Sequence, residues 1–316
     1  MKLPLLSGAA LTAALALAAD IPSLSSTLQN ILANTDNSDL YHYPTDLTQG
    51  IVPKPIHSHN DYWRPIPVYT ALSVGCASIE ADIHLINSTL FIGHEPSALT
   101  LPRTLTSLYI TPLLSILQHE NPLSLFVPTP TRNGVFDTSS TQTLYLFIDV
   151  KTPGAPAWPS VLSALAPLRQ ANYLTTYNAT ATPPLTPGPI TVIGTGNSPL
   201  DIISAASVRD YFYDAPLDTL TTAAGNNISA TLSPIASASF LEQIGVVRNI
   251  SAPLNSSQLA VLRQQVGAAH ARGILVRYYE LPAWPIGLRD GVWRVLWDEG
   301  VDFINADDVA AAAEMF

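Results

Sequence analysis

The feature of this chain that most constrains its fold is a regular alternation of short apolar, β-branched runs with longer helix-like segments. Alternation of this kind predicts βαβ units around a parallel sheet and disfavours sandwiches or helical bundles. Eight such strands with intervening helices over about 250 residues match the size and order of a TIM-type (β/α)8 barrel. We therefore predict an α/β fold with a single barrel. The candidate strands are IVPKPIHSH, ASIEADIHL, LYLFIDVK, PITVIGTG, RDYFYDA, ISATLSPIA, GILVRYYEL and VDFINAD.

The segments between these runs carry apolar residues three and four positions apart, which predicts helices that pack on the sheet. No internal repeat or long linker divides the chain, so residues 51–316 are interpreted as one barrel domain. Two Pro-rich stretches, NPLSLFVPTPTRNG and TATPPLTPGPI, predict long loops. The candidate helices are PVYTALSVG, LTSLYITPLLSILQHE, WPSVLSALAPLRQANY, SSQLAVLRQQVGAAHARG and LRDGVWRVLWDEG.

The N-terminal residues have a different character. MKLPLLSGAALTAALALAAD contains one Lys, an apolar run and a small-x-small pattern at Ala16-Leu17-Ala18, which predicts a secretory signal peptide over residues 1–19. The apolar run is shorter than the roughly 20 residues that a membrane span requires, so we predict no transmembrane span. Residues 20–50 are rich in Ser, Thr, Asn and Asp, which indicates an N-terminal arm.

Five glycosylation sequons agree with passage through a secretory pathway, and together with the leader they predict a secreted, extracellular, N-glycosylated protein. Cys76 is the only cysteine, so no intramolecular disulfide can form and the fold depends on its core. We expect Cys76 to be a buried small hydrophobe. The sequons begin at Asn87, Asn178, Asn227, Asn249 and Asn255.

Charge is scarce in this chain and unevenly placed. Charged residues make up 12% of it and the formal net charge is −10, so its surface repels polyanions and we expect no nucleic-acid partner. Residues 57–95 nevertheless contain four histidines and four carboxylates. This concentration of titratable groups indicates a functional site.

Carboxylates follow the strand period in two of the candidate strands. In ASIEADIHL, Glu80 and Asp82 share one face while apolar residues take the other, and LYLFIDVK places Asp149 and Lys151 on one face in the same way. Flanking helices would bury both faces, and buried carboxylates two residues apart repel each other unless a cation neutralises them. Oxygen ligands of this kind suit Mg²⁺, with Ca²⁺ as the alternative and Zn²⁺ less favoured. The plainer alternatives are a solvated antiparallel face and a structural Asp149–Lys151 salt bridge.

Two histidines are expected near the same strand ends. His59 follows the first candidate strand, and His94 follows LFIG, which is expected to hairpin back from Asn87-Ser88. A lone histidine at such a position is more often a hydrogen-bonded loop residue. A pair beside a metal–carboxylate site suits a general acid and a general base, which cleavage of a phosphodiester needs.

The ordered series HNDY, EADIHL, GH and IDVK resembles the glycerophosphodiester phosphodiesterase and phospholipase-C-like superfamily of TIM barrels. The closest resemblance is to the fungal altered inheritance of mitochondria protein 6 family, and RYYELPAWP with VWRVLWDEGVDFINADD resembles that family's last strand–helix–strand unit. The resemblance spans roughly residues 52–310. It implies a phospholipase-C-like phosphodiesterase barrel.

The resemblance also assigns roles to matching positions. It implies that His59 and His94 are catalytic, that Glu80, Asp82 and Asp149 bind a metal ion, and that Lys151 lies beside them. Asn60-Asp61 stand where glycerophosphodiesterases carry Arg-Gly, so the resemblance does not extend to glycerol specificity. Asn60, Asp61, His57 and His84 are candidates for contacts to substrate or to the metal ligands.

We therefore expect a secreted, metal-dependent phosphodiesterase that acts on a small-molecule or lipid phosphodiester, such as a lysophospholipid or glycerophosphodiester, with transient contact to a membrane surface. Either histidine could be the acid, and both direct hydrolysis and formation of a cyclic phosphate are open. A catalytically silent secreted binding protein that keeps the ion for folding is one alternative. A glycoside hydrolase, whose barrel also uses paired carboxylates, is the other.

Overall fold

The computed structural model describes Tyr43 and residues 45–316. The predicted signal peptide and most of the predicted arm lie outside the described residues. Twelve strands occur in the described chain: β1 (Lys54–Ser58), β2 (Cys76–Ile86), β3 (Thr89–Ile92), β4 (Leu144–Val150), β5 (Thr176–Asn178), β6 (Leu185–Thr186), β7 (Ile190–Gly196), β8 (Val208–Arg209), β9 (Phe212–Pro216), β10 (Ile235–Ser239), β11 (Leu275–Tyr279) and β12 (Phe303–Ala306).

Eight of these strands form a closed parallel barrel. Their order is β1-β12-β11-β10-β9-β7-β4-β2, and β2 pairs with β1 to complete the ring. The predicted single (β/α)8 barrel of TIM type is therefore confirmed. Strand β3 extends β2 as an antiparallel hairpin, with Ile83 opposite Ile92, while β5, β6 and β8 form a separate small sheet.

Nine α-helices occur in the described residues: α1 (Tyr69–Ser73), α2 (Thr111–Glu120), α3 (Gly154–Ala164), α4 (Ala166–Gln170), α5 (Leu200–Ala205), α6 (Phe240–Gln243), α7 (Ser256–His270), α8 (Ile286–Asp298) and α9 (Val309–Ala313). Among the described residues, no helix is long and apolar enough to cross a bilayer.

Three local details differ from the sequence-based prediction. LTSLYITPLLSILQHE begins with a π-helical turn at Thr106–Ile110 before α2, next to Pro112, which cannot donate a backbone hydrogen bond. The predicted WPSVLSALAPLRQANY helix is divided between α3 and α4, with Pro167 in the first turn of α4. The strand predicted at ISATLSPIA begins only at Ile235, after Pro234.

The core has two parts. A large apolar cluster packs the outer face of the barrel, including Ile79, Ile83 and Ile148, against helix residues such as Trp158 and Leu262. A smaller cluster contains strand residues alone and fills the barrel interior: Phe147, Ile193, Phe212, Ile235 and Phe303, with Ala77. The interior therefore has an apolar floor, and polar groups on the same strand faces lie above it towards the carboxyl ends.

Candidate metal centre at the carboxyl rim of the barrel

Three carboxylates meet near the carboxyl end of the paired segments of β2 and β4. Glu80 and Asp82 lie on β2, and Asp149 is the cross-strand partner of Asp82 on β4. One ligand atom from each of the three residues lies within 4.8 Å of the others. Oxygens that share one cation at about 2.0–2.6 Å are separated by no more than about 5 Å. The cluster can therefore hold one metal ion, as the strand period predicts.

The contacts of Asp82 show that the cluster fits a cation. Asp82 is buried, and its Oδ2 accepts a hydrogen bond from the Tyr62 hydroxyl (2.8 Å) and lies 3.0 Å from Lys151 Nζ. Its Oδ1 has no hydrogen-bond partner in the described chain. Burial, and then the charges of Glu80 and Asp149, raise the pKa of Asp82 to about 6. One buried oxygen is thus left for a ligand that carries positive charge.

The charges around the cluster also favour a cation. Below the three carboxylates lies a fourth, Asp214, which is also buried. Two cations face these four groups: Lys151 Nζ lies 2.7 Å from Asp149 Oδ2, and Arg277 Nη2 lies 3.5 Å from Asp214 Oδ2. The carboxylates outnumber these two cations, so the group carries an excess of negative charge that favours a bound cation.

The neighbouring strand leaves space for Asp149. Gly196 ends β7 with a φ of +61°, and a Cβ atom at this position would overlap Asp149 Oδ1 and approach the carbonyl oxygen of Val150. Glycine adopts this left-handed backbone conformation without strain, and it has no Cβ atom to collide with Asp149. The position of the Asp149 carboxylate therefore depends on the absence of a side chain at residue 196.

His59 lies at the end of β1 beside the cluster. Its Nδ1 donates a hydrogen bond to Asp307 Oδ1 (2.8 Å), which leaves Nε2 3.7 Å from Glu80 Oε2. Burial lowers the pKa of His59, but the hydrogen bond to Asp307 and the charge of Glu80 outweigh it and hold the pKa above its ordinary value. Nε2 is therefore the atom that can exchange a proton at the rim.

His94 lies on the loop after β3, with a side chain that is 47% exposed. Its ring lies 6.0 Å from that of Trp63 at an angle of 30°, and its Nδ1 is 3.5 Å from Glu95 Oε1. His84 supports this loop, because its Nε2 donates to the carbonyl oxygen of Gly93 (3.0 Å). In the described chain no hydrogen bond or ion pair joins His94 to the three carboxylates.

The HNDY residues have separate contacts. The backbone N–H of Asn60 donates to Glu80 Oε2 (3.2 Å), with Asn60 in the left-handed region at φ +48°. Asp61 is buried, and its carboxylate accepts hydrogen bonds from Ser58 Oγ and from the Val68 backbone N–H, both at 2.8 Å. Asn60 thus contacts a candidate metal ligand, whereas Asp61 shapes the loop.

Comparison with known proteins identifies the family. A family model described as an AIM6-like phosphodiesterase domain matches residues 45–214. The chain belongs to the altered inheritance of mitochondria protein 6 family. A homologue of that protein from Arthroderma benhamiae is 54% identical over 323 residues, covering all of both chains. The altered inheritance of mitochondria protein 6 of Eremothecium gossypii is 36% identical, over 82% of this chain and 68% of the relative. That of Saccharomyces cerevisiae is 30% identical, over 85% of this chain and 72% of the relative.

No solved structure matches this member of the altered inheritance of mitochondria protein 6 family. The resemblance inferred from the ordered motifs is confirmed by the family match. The matched range 45–214 contains His59, His94 and the three carboxylates.

Four residues of the site were not identified from the sequence: Tyr62, Asp214, Arg277 and Asp307. Tyr62 belongs to HNDY, Asp307 follows the last strand, and Arg277 is the one charged residue inside β11. Asp214 and Arg277 carry a signal, since a charge inside a barrel strand is costly unless it is paired. Asp307 carries another, since functional groups of such barrels lie at strand ends. Arg277 lies below the carboxylates, where its Nη1 approaches His57 Nε2 at 2.8 Å. Burial, and then the Arg277 charge, lower the pKa of His57 to about 3.

Proposed function

We propose that this protein is a metal-dependent phosphodiesterase that uses His59 and His94 for acid–base catalysis. The observation that carries the proposal is the carboxylate cluster at the carboxyl rim, with His59 Nε2 3.7 Å from Glu80. Active sites of (β/α)8 barrels lie at this rim. The match to a phosphodiesterase domain supports the same reaction class.

Glu80, Asp82 and Asp149 would hold the ion, and three carboxylates without a cysteine favour Mg²⁺, with Ca²⁺ as the alternative. When bound, such an ion supplies charge stabilisation to the oxygens of a phosphate.

The protein groups supply proton transfer and orientation. Asp307 holds His59 through Nδ1, so Nε2 can take or give a proton near the cluster. His94, carried by the loop that His84 supports, supplies the second proton-transfer group. Lys151 lies at the rim against Asp82 and Asp149 and adds positive charge for an anionic substrate. The two histidines can divide the acid and base roles in either order.

The surroundings of the rim support a small-molecule or lipid phosphodiester as substrate. A cavity of about 160 Å³ lies beside His59 and is lined by apolar residues such as Leu281 and Trp293 and by charged residues such as Arg289 and Asp308. Trp63, next to His94, is 56% exposed, and Trp284 is 76% exposed. Exposed tryptophans suit transient contact with a lipid surface.

A substrate panel tests the proposal. Lysophospholipids and glycerophosphodiesters are incubated with purified protein that has been treated with EDTA and then given Mg²⁺ or no metal, and ³¹P NMR follows the products. We expect turnover only with added metal, and the spectra distinguish a cyclic phosphate from a hydrolysed monoester. Metal-dependent melting without turnover of any diester would instead support the silent binding protein. EDTA-resistant cleavage of a glycoside would support the glycoside hydrolase.

We further propose that the protein is secreted and N-glycosylated. The sequon asparagines Asn87, Asn227, Asn249 and Asn255 are exposed, whereas Asn178 is half-buried. Asn255 uses Oδ1 to cap α7, which leaves its Nδ2 available for a glycan. Mass spectrometry of protein from its native host should show cleavage near Ala19 or Asp20 and glycans at the exposed sequons in preference to Asn178. An intact Met1 with unmodified asparagines would contradict this proposal.

A further inference from the structure

Arg277 forms the centre of a buried polar layer between the apolar floor and the carboxylate cluster. Its side chain is 3% exposed, and the guanidinium carbon lies 4.6 Å from the centre of the Phe147 ring. Nε donates to Ser237 Oγ (2.9 Å), and Nη1 donates to Asn305 Oδ1 (3.0 Å) and to His57 Nε2 (2.8 Å). The planar guanidinium group is therefore held by three hydrogen bonds that it donates to residues of three strands, β10, β12 and β1.

These contacts determine which nitrogen of His57 carries its proton. A guanidinium has only donors, so His57 Nε2 must accept and therefore carries no hydrogen. The proton then lies on Nδ1, which donates to Ser78 Oγ (2.7 Å). Glu80 Oε2 is 3.3 Å from the same Nε2, a longer contact than that of Arg277, and one nitrogen cannot accept from Arg277 and donate to Glu80.

The tautomer of His57 affects what Glu80 can bind. With Nε2 occupied by Arg277, Glu80 Oε2 receives its hydrogen bond from the Asn60 backbone at 3.2 Å and none from His57. Arg277 Nη1 also lies 3.9 Å from Glu80 Oε1, so its permanent charge faces this carboxylate. Without Arg277, His57 could carry its proton on Nε2 and donate a hydrogen bond to Glu80. That hydrogen bond would use an oxygen lone pair that this candidate ligand needs to bind a metal ion.

We propose that Arg277 is a positioning residue of the metal centre: it fixes His57 in the Nδ1–H tautomer and so keeps the Glu80 carboxylate available to the cation. This inference rests on the metal dependence proposed above. It concerns a residue beyond the range matched by the family model and assigns to His57 a supporting role. Groups that orient metal ligands typically change metal affinity by about 10–100-fold when they are removed.

The test compares wild type with Arg277→Lys, which keeps the charge but cannot make the three fork contacts. The His57 tautomer is read from imidazole ¹⁵N shifts in metal-free protein, with His57→Gln to assign the signal, and Mn²⁺ affinity is measured by electron paramagnetic resonance. We expect Nδ1–H in wild type, a change of tautomer in Arg277→Lys, and Mn²⁺ binding weakened about 10–100-fold. Arg209→Lys is the matched control, because Arg209 is also buried but lies at the small sheet, over Tyr177. It should leave both readouts unchanged.

Should Arg277→Lys not fold, the double variant Arg277→Met with Asp214→Asn removes a buried charge pair together and is measured in the same way. An Nε2–H tautomer in wild type, unchanged Mn²⁺ affinity in a folded Arg277 variant, or wild type that binds no Mn²⁺ would each overturn the inference. Mn²⁺ binding that depends on Arg277 in a protein without phosphodiester turnover would uphold this inference while removing the proposed function.

Discussion

Replacing His59 with alanine is expected to lower kcat/KM for a phosphodiester about 10²–10⁴-fold in the presence of Mg²⁺, and the same loss is expected for His94→Ala. The reason is that each imidazole would transfer a proton in the transition state, His59 through the Nε2 that faces Glu80. Both side chains lie at the rim and outside the apolar clusters, so neither substitution leaves a cavity in the core. Initial rates on lysophospholipid and glycerophosphodiester substrates provide the measurement.

The control for this experiment is His119→Ala. His119 lies in the last turn of α2, and its side chain is 42% exposed. Its removal should leave kcat/KM unchanged, and all three variants should melt at the temperature of wild type. If folded His59→Ala and His94→Ala both retained full turnover, the two-histidine mechanism would be wrong.

Replacing Asp82 with asparagine is expected to separate folding stability from metal binding. Ionised Asp82 is unfavourable in the metal-free fold, because burial and the charges of Glu80 and Asp149 raise its pKa to about 6. A raised pKa means that ionisation above that pH costs stability in the folded state, so a neutral amide should raise the Tm of metal-free protein at pH 7.5. The variant should also lose turnover, since the candidate ligand with the unpartnered oxygen is gone.

The decisive measurement for Asp82→Asn is the change of Tm on adding Mg²⁺. A ligand at 100 times its Kd stabilises a protein by about 2.7 kcal/mol, so wild type should show a clear rise and the variant none. Glu120→Gln is the matched control, because Glu120 is a buried carboxylate on α2. Its pKa is raised to about 7, first by burial and then by the charges of Asp137 and Asp46. That variant should gain stability without metal and keep the full Mg²⁺ response. A full Mg²⁺ response in Asp82→Asn would show that the ion binds elsewhere.

The carboxylate cluster could be predicted from sequence because its geometry is local. A strand period of two puts Glu80 and Asp82 on one face of β2, and the same period puts Asp149 on the matching face of β4, which pairs directly with it. The prediction needed only the assumption of a parallel barrel. The same reasoning placed His59 at the end of β1.

The residues that support the site could not be found in this way, because their partners are distant in the chain. His59 and Asp307 are 248 residues apart, and His57 and Arg277 are 220 apart. These contacts exist because β12 pairs with β1 on one side and with β11 on the other, and no local periodicity records this closure of the barrel. The division of the predicted helix into α3 and α4 near Pro167 was missed for a different reason. The helical spacing of apolar residues continues through Pro167, although proline has no backbone N–H to donate within a helix.

The space that Gly196 leaves for Asp149 has a consequence for other members of the family. A relative could retain every acidic residue of the centre and still be unable to place its third carboxylate, if a mutation had put a side chain at the position equivalent to Gly196. The backbone conformation and the overlap with Asp149 both oppose such a side chain. If the proposed metal centre is correct, the residue at this position therefore separates relatives that can assemble the centre from relatives that keep its acidic residues but cannot.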